Sequence, residues 1–153
     1  MNALDVLVVD DVAQNLNLLD RFLSQIGHRV VTANCGLQAV EMFRTHQPDL
    51  VLMDVMLPDI SGLEATRRIR ALAGERWVPI LYVSALGERE HVMQGLAAGG
   101  DDYLIKPVDL VLLDGKIRAM QRIARMQASL AATTRELERY ATLPNRNRPP
   151  RRL

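Results

Sequence analysis

Five short apolar runs, each ending in a polar residue and each followed by a stretch of helical periodicity, constrain this 153-residue chain more than any other feature. The clearest is Leu50-Val51-Leu52-Met53, set between Pro48-Asp49 and Asp54, with Pro58 and Gly62 marking the turn beyond it. An apolar run without polar alternation reads as a strand buried on both faces, the habit of a parallel sheet. Val6-Leu7-Val8-Val9 ends in Asp10-Asp11, and Pro79-Ile80-Leu81-Tyr82-Val83 ends at Ser84-Ala85. Asp102-Tyr103-Leu104-Ile105 closes at Lys106-Pro107, and Arg29-Val30-Val31-Thr32-Ala33 is rich in β-branched residues. Helices are predicted between the runs, over about 15–26, 36–46, 63–72 and 88–96, the third with Arg67, Arg68 and Arg70 on its wetter side. Strands that alternate strictly with helices require right-handed crossovers. The fold class that follows is α/β, a doubly wound five-stranded parallel sheet with helices on both faces.

The remainder of the chain differs. Residues 109–140 contain no strong breaker except Gly115 and read as one long helix whose first half covers the sheet. Within it Ala119, Ile123, Met126, Leu130, Thr133, Leu137 and Tyr140 step alternately by four and three, a heptad seam weakened by Ala and Thr. Five arginines and no acids lie in 139–153; without them the net charge of +1 becomes −4 for residues 1–138. Residues 145–153, with their prolines and arginines, are expected to be disordered. Clustered arginine has affinity for phosphate, yet no aromatics interleave it and no helix-turn-helix follows, so nucleic acid is not an expected partner. No run of 18 apolar residues is present, so no membrane span is expected. The first five residues lack the pattern of a signal peptide, and the single Cys35 allows no internal disulfide. A cytoplasmic location is the expectation.

Open α/β sheets bind ligands at the carboxyl ends of their strands, and in the order 2-1-3-4-5 strands 1, 3, 4 and 5 are neighbours. Asp10, Asp11, Asp54, Ser84 and Lys106 would then converge on one edge. Three carboxylates so placed repel one another, and a hard divalent cation and the Lys106 ammonium would relieve them. An ionised Asp54 is a nucleophile toward phosphorus, the product being an aspartyl phosphate. The metal and Lys106 would offset charge on the phosphoryl oxygens, and Ser84 offers them a hydroxyl. Taken singly, each residue has a plainer explanation, as a helix cap, a turn former or a half-buried strand residue. Their conjunction at four strand ends is what points to one reaction.

Val8-Val9-Asp10-Asp11, Leu52 to Gly62, Val83-Ser84-Ala85 and Gly99 to Pro107 together resemble the receiver domains of two-component response regulators. The resemblance implies a flavodoxin-like receiver domain over 1–125; beyond it the residues themselves read as a helical extension over 126–141 that could form a coiled coil and a basic tail over 142–153 expected to be disordered. It implies that Asp54 is the phosphoacceptor, that Asp11, Asp54 and the main-chain carbonyl of Met56 hold Mg²⁺, and that Asp10 acts through water. Ser84 and Lys106 are similar to the family's phosphoryl-binding hydroxyl and lysine, and Tyr103 to the aromatic that turns inward when that hydroxyl moves. A histidine kinase or phosphotransfer protein is the implied donor, and the chain is expected to catalyse only its own phosphorylation and dephosphorylation. In this family the residues two beyond the acceptor and two beyond the hydroxyl set the lifetime of the phosphoryl group. Here they are Met56 and Leu86, which offer an attacking water no hydrogen bond, so a long lifetime is expected.

The seam in the last helix suggests a homodimer coupled to phosphorylation. Leu143-Pro144-Asn145-Arg146 resembles the LPNR at the start of diguanylate cyclase domains, suggesting an output domain of that kind, although no GG(D/E)EF loop is present. Two other functions fit parts of the pattern. One is an interaction module of receiver fold that is not phosphorylated. The other resembles the Mg²⁺-dependent haloacid dehalogenase-like phosphohydrolases, which need a second aspartate two residues beyond the nucleophile. Position 56 is Met and position 12 is Val, leaving turnover without a proton handler. Cys35 and His28, His46 and His91 are scattered and suggest no metal site, and His91 is expected to be exposed.

Overall fold

A computed structural model describes residues 2–144. In chain order its elements are β1 (Asp5–Val9), α1 (Ala13–Gln25), β2 (Arg29–Ala33), α2 (Gly36–His46), β3 (Leu50–Met53), α3 (Gly62–Ala73), β4 (Ile80–Ser84), α4 (Arg89–Ala97), β5 (Asp102–Ile105) and α5 (Leu110–Thr142). All strand pairs are parallel, and the sheet order is β2-β1-β3-β4-β5. The predicted fold class is the observed one. Residues 145–153, where disorder and half of the LPNR motif were expected, lie outside the described residues.

Alternation along each strand divides the core in two. Leu7, Val9, Val51, Met53, Ile80, Tyr82 and Tyr103 face α2 and α3, meeting Ala39, Phe43, Ala65 and Ile69. Val6, Val8, Leu50, Leu52, Leu81, Val83 and Leu104 face α1 and α5, meeting Leu19, Leu23, Leu113 and Ile117. The central strands are apolar on both faces because each is covered on both, which is why their sequences show no alternation.

Element bounds differ from expectation by a residue or two. α1 starts at Ala13 rather than Asn15, its first turn closing on the Val12 carbonyl, which accepts from Asn15 and Leu16 N–H at 3.0 and 3.2 Å. Two side chains are placed differently. Arg70 is not on the wet side of α3: its guanidinium turns back to donate to the carbonyls of Gly99 and Val78 and to the Asp101 carboxylate at 2.6 Å. Asp101 also accepts from the Trp77 indole (3.1 Å) and the Ile80 amide (2.8 Å), tying the starts of β4 and β5 to the end of α3. His91 is half-buried rather than exposed, with its Nδ1 shut off from solvent and unpartnered. His28 is buried at the sheet edge, its Nδ1 accepting from the Leu4 N–H at 3.1 Å, and burial lowers its pKa against the pull of Asp114.

α5 is 33 residues long, about 50 Å at 1.5 Å per residue. Only its first part packs on the sheet, through Leu113, Ile117 and Gln121. From Arg125 onward every described residue is exposed, including the seam residues Met126, Leu130, Leu137 and Tyr140. Among the described residues no helix is long and apolar enough to cross a membrane.

Candidate functional site

The parallel register sets the site. Val9 pairs with Met53, so Asp10 and Asp54 leave the sheet side by side. Each continues the ladder by one hydrogen bond, Asp10 N–H to the Ala33 carbonyl (3.1 Å) and Asp54 N–H to the Val9 carbonyl (2.9 Å). Met53 is level with Tyr82, which puts Ser84 on the adjoining strand just past the level of Asp54. Ser84 in turn pairs with Ile105, and the next residue, Lys106, donates its amide to the Ser84 carbonyl at 2.9 Å. The peptide between Lys106 and Pro107 is cis.

Four strand tips thus meet at one edge. Lys106 Nζ donates to Asp10 Oδ2 at 2.6 Å and to Asp54 Oδ2 at 3.0 Å. Asp10 and Asp54 are buried, only 1% and 5% exposed, while Asp11 is open to solvent. The remaining oxygens are held by local amides, Asp10 Oδ1 by Val12 N–H (2.9 Å) and Asp54 Oδ1 by Met56 N–H (3.3 Å). Burial pushes the pKa of Asp54 above the ordinary carboxylate value; Lys106 pulls it back and Asp10 adds to the rise. For Lys106 burial opposes the charge, but its hydrogen bonds to Asp10 and Asp54 more than reverse that, and its pKa is raised. Carboxylate oxygens of Asp10, Asp11 and Asp54 lie within 4.8 Å of one another. An all-oxygen donor set of this charge suits a hard divalent cation such as Mg²⁺.

Beside the carboxylates, Ser84 is 1% exposed and its Oγ accepts the Leu86 N–H at 3.2 Å. The Leu86 carbonyl accepts the Tyr103 hydroxyl at 2.5 Å. Expected to turn inward on switching, Tyr103 is already inside in this structure, 9% exposed, with its ring centroid 5.6 Å from that of Tyr82. The Met56 side chain stands out in solvent, 62% exposed.

Two residues hold the loop that carries Asp54, and neither role is apparent from the sequence. Gly62, read in the sequence as a turn and as the end of the Leu52 to Gly62 motif, packs its backbone against the acceptor: a Cβ at 62 would lie 1.9 Å from the Asp54 carbonyl oxygen. Asp59 reaches across to the start of α2 and accepts from the amides of Gly36 and Leu37, both at 2.8 Å. Slight burial works against the Asp59 charge, but the amides of Leu37, Gly36 and Ile60 hold its pKa down at about 2. A helix N-terminus favours an anion there. An Asp-Ile-Ser-Gly turn shows no sign of that partner, which lies 23 residues earlier in the chain.

The chain matches the family described as response regulator receiver domain over residues 6–118. It is 37% identical over 128 residues to the transcriptional regulatory protein AfsQ1 of Streptomyces coelicolor, covering 84% of this chain and 56% of that one. The chain spans about half the length of the curated relatives it matches. Among solved structures, a two-component response regulator from Clostridium difficile superposes with a TM-score of 0.73 at 30% identity, covering 77% of this chain and 95% of that one. The receiver domain of a sensor histidine kinase from Pseudomonas aeruginosa, with a magnesium ion coordinated in its active-site cleft, superposes with a TM-score of 0.70 at 34% identity, over 80% and 98% of the two chains. With the matched segment enclosing all five strand tips and most of the sheet's cover, this chain belongs to the response regulator receiver domain family.

Proposed function

We propose that the chain is a phosphorylation-controlled signalling receiver with Asp54 as phosphoacceptor. The observation that carries this reading is the Lys106 ammonium shared between two buried carboxylates, 2.6 Å from Asp10 and 3.0 Å from Asp54. A buried carboxylate is costly unless it is paired and hydrogen-bonded, and this one stands at the mouth of the sheet with a cation and a hydroxyl beside it. An ionised Asp54 oxygen attacks the phosphorus of a phosphohistidine or of acetyl phosphate. The bond from phosphorus to the donor breaks, and imidazole or acetate leaves with the electron pair. Lys106 turns its charge to the phosphoryl oxygens, and Ser84 donates its hydroxyl to one of them. Asp10, Asp11, Asp54 and the main-chain carbonyl of Met56 would hold Mg²⁺, which when bound supplies positive charge to the same oxygens.

A histidine kinase or phosphotransfer protein is the donor in this reading, and the chain turns over no other substrate. The neighbours of the carboxylates support that: Val12 and Met56 are both exposed beside the site and carry no group able to move a proton. A cytoplasmic location, a receiver domain ending near 125, a homodimer through the 126–141 extension and an output domain such as a diguanylate cyclase belong to the same proposal. The length of the matched relatives supports an output domain. Incubation with Mg²⁺ and acetyl phosphate, followed by intact-mass measurement, tests the core of it. One phosphoryl group should add to the wild type and none to Asp54→Ala; an unmodified wild type, or a modified variant, overturns the assignment.

A further inference from the structure

One buried aromatic takes no part in the chemistry above. Tyr82, in the middle of β4, is 0% exposed, and its hydroxyl makes no well-aligned hydrogen bond, the nearest group being the Thr66 hydroxyl. The Thr66 hydroxyl itself donates to the Gly62 carbonyl at 2.8 Å. A buried hydroxyl with so weak a partner contributes little, so the position is held chiefly by what the ring touches. Two glycines are fitted around that ring. A Cβ at Gly100 would lie 2.1 Å from Tyr82 Cε2, and one at Gly95, on α4, would lie 2.9 Å from the same atom and 3.3 Å from Tyr103 Cδ2. The rings of Tyr82 and Tyr103 are inclined at 43°. Tyr103 therefore sits in a slot walled by the Tyr82 ring and the bare backbone at Gly95. At its far end is the Leu86 carbonyl, whose own amide N–H is held by Ser84.

We propose that Tyr82 is a positioning residue for the phosphoryl site: together with Gly95 it holds Tyr103 inward, and through Leu86 that favours the Ser84 arrangement which receives a phosphoryl group on Asp54. This rests on the assignment of Asp54 and Ser84 made above. Tilted aromatic pairs attract beyond their buried area. Without the Tyr82 ring, Tyr103 spends more time turned out, and apparent affinity for a phosphoryl group falls with the fraction of competent molecules.

Beryllofluoride with Mg²⁺, a stable mimic of the phosphoryl group, is titrated into the wild type, Tyr82→Phe, Tyr82→Leu, Gly95→Ala and Asp54→Ala, with Mg²⁺ alone titrated in parallel. Ring position is read separately, by tetranitromethane nitration mapped by mass, with the exposed Tyr140 as internal reference among the 3 tyrosines. Tyr82→Leu and Gly95→Ala should raise nitration of Tyr103 relative to Tyr140. They should also weaken beryllofluoride binding roughly 3- to 10-fold and leave Mg²⁺ affinity unchanged. Tyr82→Phe, which keeps the ring, should match the wild type in both readouts. Should Tyr82→Leu fail to fold, Gly95→Ala decides. A folded variant with wild-type affinity, or with weakened binding but no rise in Tyr103 nitration, overturns the inference alone. A wild type that binds no beryllofluoride, or that still binds it after Asp54→Ala, overturns the phosphoacceptor assignment and this inference with it.

Discussion

At the scale of single residues, the site is built from groups that the fold alone would not choose. Asp54 illustrates this. Burial raises its pKa, with Asp10 adding and Lys106 opposing. A raised acid is most compatible with folding when protonated, so its favourable contribution is complete below the ordinary pKa of 3.8 and is lost as pH rises through the folded value. Asp54→Asn should therefore be more stable than the wild type at neutral pH in the presence of a chelator, the difference closing as pH falls through the raised value of Asp54 and gone below about 4; urea unfolding across that range measures it. Met56 and Leu86 give a second prediction. With no polar side chain at either position, neither can orient an attacking water, and the phosphorylated protein should persist for minutes or longer after removal of the donor. Met56→Asn should shorten that lifetime, followed by intact mass over time, and a wild-type half-life of seconds would count against the explanation.

At the scale of elements, the acceptor loop and α2 are one unit because Asp59 closes the N-terminus of a helix that is distant in sequence. Losing a carboxylate from such a place costs about 1 kcal/mol, so Asp59→Ala should unfold at lower urea by that amount. The pH dependence has the opposite sign to that of Asp54. A depressed acid contributes fully above 3.8 and loses its contribution as pH falls toward about 2. The gap between wild type and Asp59→Ala should hold above pH 4 and shrink below it. Strand tips were legible in the sequence because each terminates an apolar run, and a parallel sheet puts such ends on one edge. Arg70 was not: helical spacing placed it with Arg67 and Arg68, but its partner Asp101 is 31 residues away and enters with β5. The same holds for Asp59, His28 and the slot around Tyr103. Local periodicity reports which face is apolar, whereas these contacts depend on which elements become neighbours after folding. Arg70→Ala leaves Asp101 half-buried without its cation and should cost about 2 kcal/mol in the same unfolding assay.

At the scale of the whole molecule, α5 leaves the sheet and is exposed to solvent from Arg125 onward among the described residues. Helices in proteins draw most of their stability from packing an apolar face, and the exposed Met126, Leu130, Leu137 and Tyr140 offer a stripe for a second copy in the proposed dimer. Leu130→Glu combined with Leu137→Glu should abolish a dimer mass by light scattering while leaving phosphorylation of Asp54 intact; an unchanged mass removes the dimer from the proposal. The helix begins three residues past Pro107, at the edge where the carboxylates gather, and runs beyond the opposite edge of the sheet. Under the proposed function it would serve as a lever pivoting on Leu113 and Ile117. A tilt of roughly 5° at its first turn sweeps its far end through about 4 Å, given its rise per residue, so a rearrangement too small to disturb the core is amplified into a displacement as wide as a side chain.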